Sequence, residues 1–181
     1  MRCFWCNEKN LLYVKYHDEE WGRLCFDDMY LFEMLLLEGF QAGLSWECVL
    51  NKREAFRKAF DGFDYKKIAK YDDKKIDELY QNNEIIRNKA KIRAAIKNAQ
   101  IFDDLVCQNG SFLNYLKLFW NGKVIFENSK TSSDLSDKIS KDLYKKGMRF
   151  VGSIIIYSYL QAVGIISSHD ENCILYKKSD A

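Results

Sequence analysis

The sequence predicts an all-α fold, and three observations carry that reading. Apolar residues recur at three- and four-residue spacing rather than in strict alternation, which is the helical period. Most of these periodic segments are preceded by Asp, Asn or Ser, the side chains that cap helix N-termini. The chain contains no proline, so its breaks rest on Gly, Asn, Asp and Ser, and strand signals are scarce.

The first predicted helix runs from Asp28 through Ala42. Asp27 or Asp28 caps it, and Leu31, Met34, Leu35 and Glu38 share one stripe. Ser45 caps a second helix, WECVLNKREAFRKAF, with Trp46, Val49, Leu50, Phe56 and Phe60 largely on one side. Asp72 opens a short helix, DKKIDELYQ. A long helix follows from Asn88 to about Cys107, with Ile92, Ala95, Ile96, Ala99 and Phe102 inward. Ser111 begins another, SFLNYLKLFW. NGKVIFENS reads as a loop or at most a short extended stretch. Ser133 or Asp134 starts DLSDKISKDLYKKG, which Gly147 terminates. The last helix, about Gly152 to Val163, is β-branched and aromatic, as expected of a buried element.

A length of 181 residues with 48% hydrophobic content suits one globular domain spanning 1–181. No apolar run approaches the roughly 20 residues of a membrane span, and the N-terminus MRCFWCNEKN lacks a signal-peptide core. A cytoplasmic location with reduced cysteines is therefore expected. The formal net charge of +2 does not announce nucleic acid. The distribution is more telling: from Ile85 to Phe102 there are five Lys or Arg and no acidic residue before Asp103. Nothing points to an oligomer, and a monomer is expected.

Both histidines have a cysteine partner at their own end of the chain. Thirteen residues separate Cys3 from His17, and three separate His169 from Cys173. Two thiolates and two imidazoles are the donor set of a closed tetrahedral zinc site, which would clip the two ends together. Cys6 competes with Cys3, because Cys3-x2-Cys6 is itself a ligand-like spacing. Glu38 is a carboxylate on a leucine stripe. Burial there would raise its pKa and suit it to ligand recognition or proton transfer; otherwise it caps a helix end or faces water. Trp5, Tyr13, Tyr16, Trp21 and Trp46 are dense enough for a core or for a pocket that sandwiches a flat base. NNEIIRNKAKIRAAI joins a short helix to a longer one through a hairpin with basic residues at the turn, an arrangement that can hold a DNA phosphate.

Several motifs then agree. Tyr16-His17-Asp18-Glu19-Glu20-Trp21-Gly22, Leu37-Glu38-Gly39, Gln41-Ala42-Gly43-Leu44-Ser45-Trp46, Ile85-Ile86-Arg87-Asn88, Phe150-Val151-Gly152 and Tyr157-Ser158 with Gln161-Ala162 resemble the DNA-3-methyladenine glycosylase I family. The opening Arg2-Cys3-x-Trp5 and closing His169-x3-Cys173 fit as well, so the resemblance covers essentially the whole chain. It implies the helix-hairpin-helix DNA glycosylase fold, with the hairpin motif at about 76–100. It implies one structural zinc held by Cys3, His17, His169 and Cys173, in preference to Cys6. Glu38 would recognise the methylated adenine, Tyr13, Tyr16 and Trp46 would form the base pocket, and Trp21 would lie nearby. Arg87, Asn88, Lys89 and Lys91 would grip the DNA backbone. The chain departs from the family pattern at Glu84 and Ala90, where glycines are expected, and at Arg23-Leu24, where a proline is usual.

The implied activity is monofunctional: 3-methyladenine is flipped out of alkylated double-stranded DNA and released by water, leaving an abasic site. Asp103 and Asp104 read as the solvated end of the long helix. A lyase using Lys89 or Lys91 and a non-catalytic DNA-binding module are the alternatives. A catalytic zinc ranks low, because four protein ligands leave no position for water.

Overall fold

The computed structural model describes residues 1–176. Among them are ten α-helices, one 3-10 turn and a single pair of two-residue strands. The predicted caps form: Asp27, Ser45, Asp72, Asn88, Ser111 and Ser133 each accept a bond from a backbone N–H of the first turn. They open α2 (Asp28–Gln41), α3 (Trp46–Leu50), α6 (Asp73–Gln81), α7 (Lys89–Asn109), α8 (Phe112–Leu116) and α9 (Asp134–Lys145). Helix α10 spans Ser153–Ala162.

Four features differ from the sequence expectation. A helix α1, Leu11–Glu19, precedes the others, capped by Asn10. Its inward positions are Tyr13, Tyr16 and His17, so its buried face lacks the aliphatic residues that mark a helix most plainly. The segment expected as one helix over 46–60 is two, α3 and α4 (Arg53–Ala59). Asn51 and Lys52 turn between them, the former bonded to Asn10 Nδ2 and the latter to the Glu84 carbonyl. The region between Phe60 and Asp72 holds the 3-10 turn Asp61–Phe63 and α5, Tyr65–Ile68. Helix α8 ends at Leu116, short of the expected Trp120; the Trp120 indole instead donates to the Lys123 carbonyl.

Helix α2 is the axis of the molecule. Every residue from Leu31 to Phe40 is buried, and the helix packs on α3, α7, α8 and α10. Glu33 and Glu38 are therefore carried into the interior by a helix that presents no solvent face over ten residues. Ile125–Phe126 (β1) pairs in parallel with Ile166–Ser167 (β2), tying the stretch after α8 to the chain beyond α10. No helix among the described residues is long and apolar enough to cross a membrane.

The segment after α1 is sewn to the end of α10. Gly22 N–H donates to Gln161 O and Cys25 N–H to Val163 O, both at 3.1 Å. Gly164 lies at the crossing with φ +78°, and a Cβ there would stand 2.1 Å from the Arg23 carbonyl carbon. Gly164→Ala is expected to lower stability by more than about 3 kcal/mol, since backbone rather than a flexible side chain must move. Gly122→Ala also has positive φ but meets nothing within 4 Å, and should lose only about 1–2 kcal/mol. Urea midpoints of the two variants check this; equal losses would show that the crossing is not tight.

Candidate functional site

A cavity of about 540 Å³ opens between α1, α2, α3 and α10. Helix α1 contributes Tyr13 and Tyr16, and the turn after it contributes Trp21. Helix α2 contributes Glu38 and Gln41, α3 contributes Trp46 from its first residue, and α10 contributes Ser158 and Gln161. Trp5 completes an aromatic wall. The Tyr16 and Trp46 ring centres are 5.2 Å apart, Trp5 and Tyr13 5.5 Å, and Trp5 and Trp21 4.7 Å.

Two polar atoms in this cavity have no partner: Glu38 Oε2 and Trp46 Nε1. Glu38 is 3% exposed, and burial pushes its carboxyl pKa up to about 8. Unsatisfied buried polar atoms are rare, because each forfeits its bonds to water. An acceptor and a donor left open among flat rings form a receptor for a flat group with complementary hydrogen-bonding edges. All six sequence-predicted residues that could build such a pocket (Trp5, Tyr13, Tyr16, Trp21, Glu38 and Trp46) line the cavity. Gln41, Ser158 and Gln161 line it as well; their only signal in the sequence is that all three lie within the quoted motifs. Neither Asp103 nor Asp104 lines it.

A second cavity of about 520 Å³ holds Glu20, Glu33, Arg53 and Arg57. Its charges satisfy one another. Arg53 bridges Glu20 and Glu33, Arg57 reaches Glu33, and the Tyr30 hydroxyl donates to Glu20.

Cys3, His17, His169 and Cys173 meet behind the aromatic wall. All four are buried, and their donor atoms lie within 4.8 Å of one another. Cys3 Sγ is 3.4 Å from His169 Nδ1; Cys173 Sγ is 3.5 Å from His17 Nε2 and 3.6 Å from His169 Nδ1. The set could hold a metal ion. Burial pushes the Cys3 thiol up to about 12; backbone N–H groups of Asp170 and Leu175 point at the two sulfurs and work against that, toward thiolate. Burial and the neighbouring His17 hold the His169 imidazole down at about 4, so it is neutral and free to donate a lone pair. His17 Nδ1 lies 2.7 Å from Asp18. Asp18 in turn takes a forked bond from Arg2, which with His17 lowers its pKa to about 2. That carboxylate fixes the His17 ring so that Nε2 faces the cluster. Cys6 is outside the group; its thiol faces the Tyr13 carbonyl.

Between α6 and α7 the chain turns through residues 82–88. Arg87 and Asn88 are exposed, and Lys89 is half-buried. The Asn88 side chain accepts from Lys91 N–H, and Lys89 pairs with Asp77 at 2.8 Å. Glu84 and Ala90 do not strain the turn, since neither has positive φ; Ala90 lies in the first turn of α7. Lys91 corrects the sequence expectation. It is buried, and its ammonium donates to the Phe40 and Ala42 carbonyls at 2.9 and 2.7 Å. It closes the C-terminus of α2 and is not free to meet a phosphate. The residue appeared basic and exposed in a basic run, but its place on α7 turns it toward α2.

Comparison with known proteins finds relatives over nearly the whole chain. The methyladenine glycosylase family model matches residues 5–176. A DNA-3-methyladenine glycosylase of Haemophilus influenzae is 40% identical over 178 residues, covering 95% of this chain and 96% of that protein. The crystal structure of a 3-methyladenine DNA glycosylase I superposes with a TM-score of 0.92 at 40% identity, over 98% of this chain and 100% of the other. A Tyr-to-Phe variant of a 3-methyladenine DNA glycosylase I, solved in complex with 3-methyladenine, also gives 0.92 at 31% identity, over 98% of each chain.

Proposed function

Because the chain belongs to the methyladenine glycosylase family and is thus a DNA glycosylase, which hydrolyses N-glycosyl bonds, we propose that it releases 3-methyladenine from alkylated double-stranded DNA and leaves an abasic site. The observation that carries this reading is the pairing of a buried, unpartnered Glu38 carboxylate with the Tyr16–Trp46 ring pair in one cavity.

The substrate base is cationic once methylated at N3, so its bond to the sugar is already weak. The base rotates out of the duplex and enters the cavity, where the rings sandwich it. The electron-rich ring faces and the Glu38 carboxylate favour a positive base over a neutral one. The glycosidic bond breaks with its electron pair moving to the base nitrogen, and the base leaves neutral. A water oxygen bonds to the sugar C1′ and gives its proton to solvent. Glu38 thus supplies selection and orientation, while the methyl group supplies much of the leaving ability.

Zinc suits the Cys3, His17, His169 and Cys173 set. Tetrahedral coordination at ordinary zinc bond lengths sets sulfur and nitrogen donors about 3.6 Å apart, close to the 3.4–3.6 Å spacings above. Bound there, zinc would act as a structural clip, its four protein ligands leaving no site for water. The α6–turn–α7 unit is read as the helix-hairpin-helix element, with Arg87, Asn88 and Lys89 toward a DNA backbone. Neither Lys89 nor Lys91 lines the cavity, and Lys130, which does, is paired with Glu127, which supports water rather than an amine as nucleophile. The enzyme is read as a single domain and a monomer acting in the cytoplasm.

Purified protein incubated with methylated duplex DNA should release free 3-methyladenine, detected by chromatography, and borohydride should trap no covalent DNA adduct. Absence of released base with zinc-replete protein would overturn the reading.

A further inference from the structure

The cavity has an exposed aromatic residue at its mouth that base recognition does not use. The rings that enclose the inner cavity are shielded: Tyr16 is 2% exposed and Trp46 9%. Phe4 lines the same cavity but is 89% exposed. A ring that gripped a base seated against Glu38 would be enclosed as Trp46 is. Phe4 therefore faces whatever stays outside. Its position is also set in advance. Phe4 follows Cys3 in a turn closed by the bond from Cys6 N–H to Cys3 O. Its own N–H donates to Asp170 Oδ2 at 2.7 Å, across the junction of the two chain ends. A single exposed apolar side chain needs no explanation by itself. One whose backbone is held on both sides and that borders a base-sized cavity presents a flat surface at a set position, leaving only its side-chain rotamer to be ordered on contact.

We infer that Phe4 is a stacking platform for a nucleobase of the substrate that remains outside the pocket, next to the extruded nucleotide. Every base has a flat π face, so such a contact adds affinity without sequence preference. It also discriminates between the whole substrate and the excised base, because only the former has a neighbouring base to offer. The inference rests on the reading of the substrate as duplex DNA.

The experiment compares Phe4→Ala, Phe4→Leu and Phe4→Trp with the unaltered chain. Affinity for a duplex carrying a tetrahydrofuran abasic-site analogue is measured by anisotropy, and affinity for free 3-methyladenine by tryptophan quenching. A 2-aminopurine beside the lesion reports stacking. Phe4→Ala and Phe4→Leu should bind the duplex about tenfold more weakly, bind the free base unchanged, and lose the quenching of 2-aminopurine. Phe4→Trp should keep both the duplex affinity and the quenching. Because the ring is exposed, thermal midpoints should not move. Unchanged duplex affinity, an equal loss for the free base, or full function in Phe4→Leu would each overturn the platform. If the unaltered chain does not prefer the abasic duplex over an undamaged one, the DNA-repair reading itself fails, and the platform with it.

Discussion

Glu38→Gln should make the protein more stable and nearly inactive. The carboxyl is buried and its pKa is pushed up to about 8 by burial, against an ordinary value near 4.3. Between these values the folded protein holds a proton that the unfolded chain has released. A raised folded pKa gives stability that is fully present below the unfolded pKa and is lost as pH rises through the folded one. Each unit of pH in that window removes about 1.4 kcal/mol from the contribution of this group. The amide does not titrate, so the variant should match the parent near pH 4 and exceed it by a few kcal/mol near pH 8. Denaturant unfolding of both proteins from pH 4 to pH 9 checks this. Affinity should move the other way. The ionised carboxylate attracts the cationic base, so the parent should bind substrate more tightly as pH rises toward 8, and Glu38→Gln should show no such rise. Excision by the variant should fall by roughly a hundredfold or more. Unchanged excision, or parallel pH slopes in stability, would sink the role given to Glu38.

Removal of metal should lower stability and activity together. A ligand held a thousandfold above its dissociation constant adds about 4 kcal/mol to the folded state, so chelation should drop the thermal midpoint by on the order of 10 °C in a chain of this size. Cys173→Ala should have the same effect without chelator, whereas Cys6→Ala, outside the group, should not mimic it. The coupling to activity follows from α1, where His17 is adjacent to Tyr16 and both are buried. Releasing one frees a wall of the base cavity. Metal analysis should find one zinc per chain, and a metal-free protein that is equally stable and active would contradict the clip.

The helix caps were legible because capping is local: an Asp, Asn or Ser and the first N–H groups of its helix lie within four residues. The Cys/His group was legible in part: both histidines of the chain belong to it and Cys173 lies beside His169, but only the family resemblance preferred Cys3 to Cys6. Glu38 stood out as a charge on a leucine stripe, and it is indeed buried. What could not be read was set by distant partners. The α3–α4 break depends on Asn10 and Glu84, and the β1–β2 pair joins two-residue strands forty residues apart. Lys91 is held by carbonyls on another helix, and Phe4 acquires a meaning only once the cavity beside it is known. Helix α1 had its signal, since Tyr13, Tyr16 and His17 fall at helical spacing, but chemistry-bearing side chains obscured the pattern.

The cluster contains residues 3 and 173, and Cys3 and His169 are 166 positions apart along the chain. Gly164 locks against Arg23 in the same way. Contacts of such separation form late and slowly in folding. A chain emerging from the ribosome would complete α2 and α7 long before the segments around Cys3 and Cys173 could meet. The base pocket, whose walls come from segments far apart in the sequence, is thus withheld until the residues around His169 and Cys173 have been made. A chain that lacks those residues cannot seize a base, and a proteolytic cut that removes Cys3 or Cys173 would silence the enzyme without dismantling its interior.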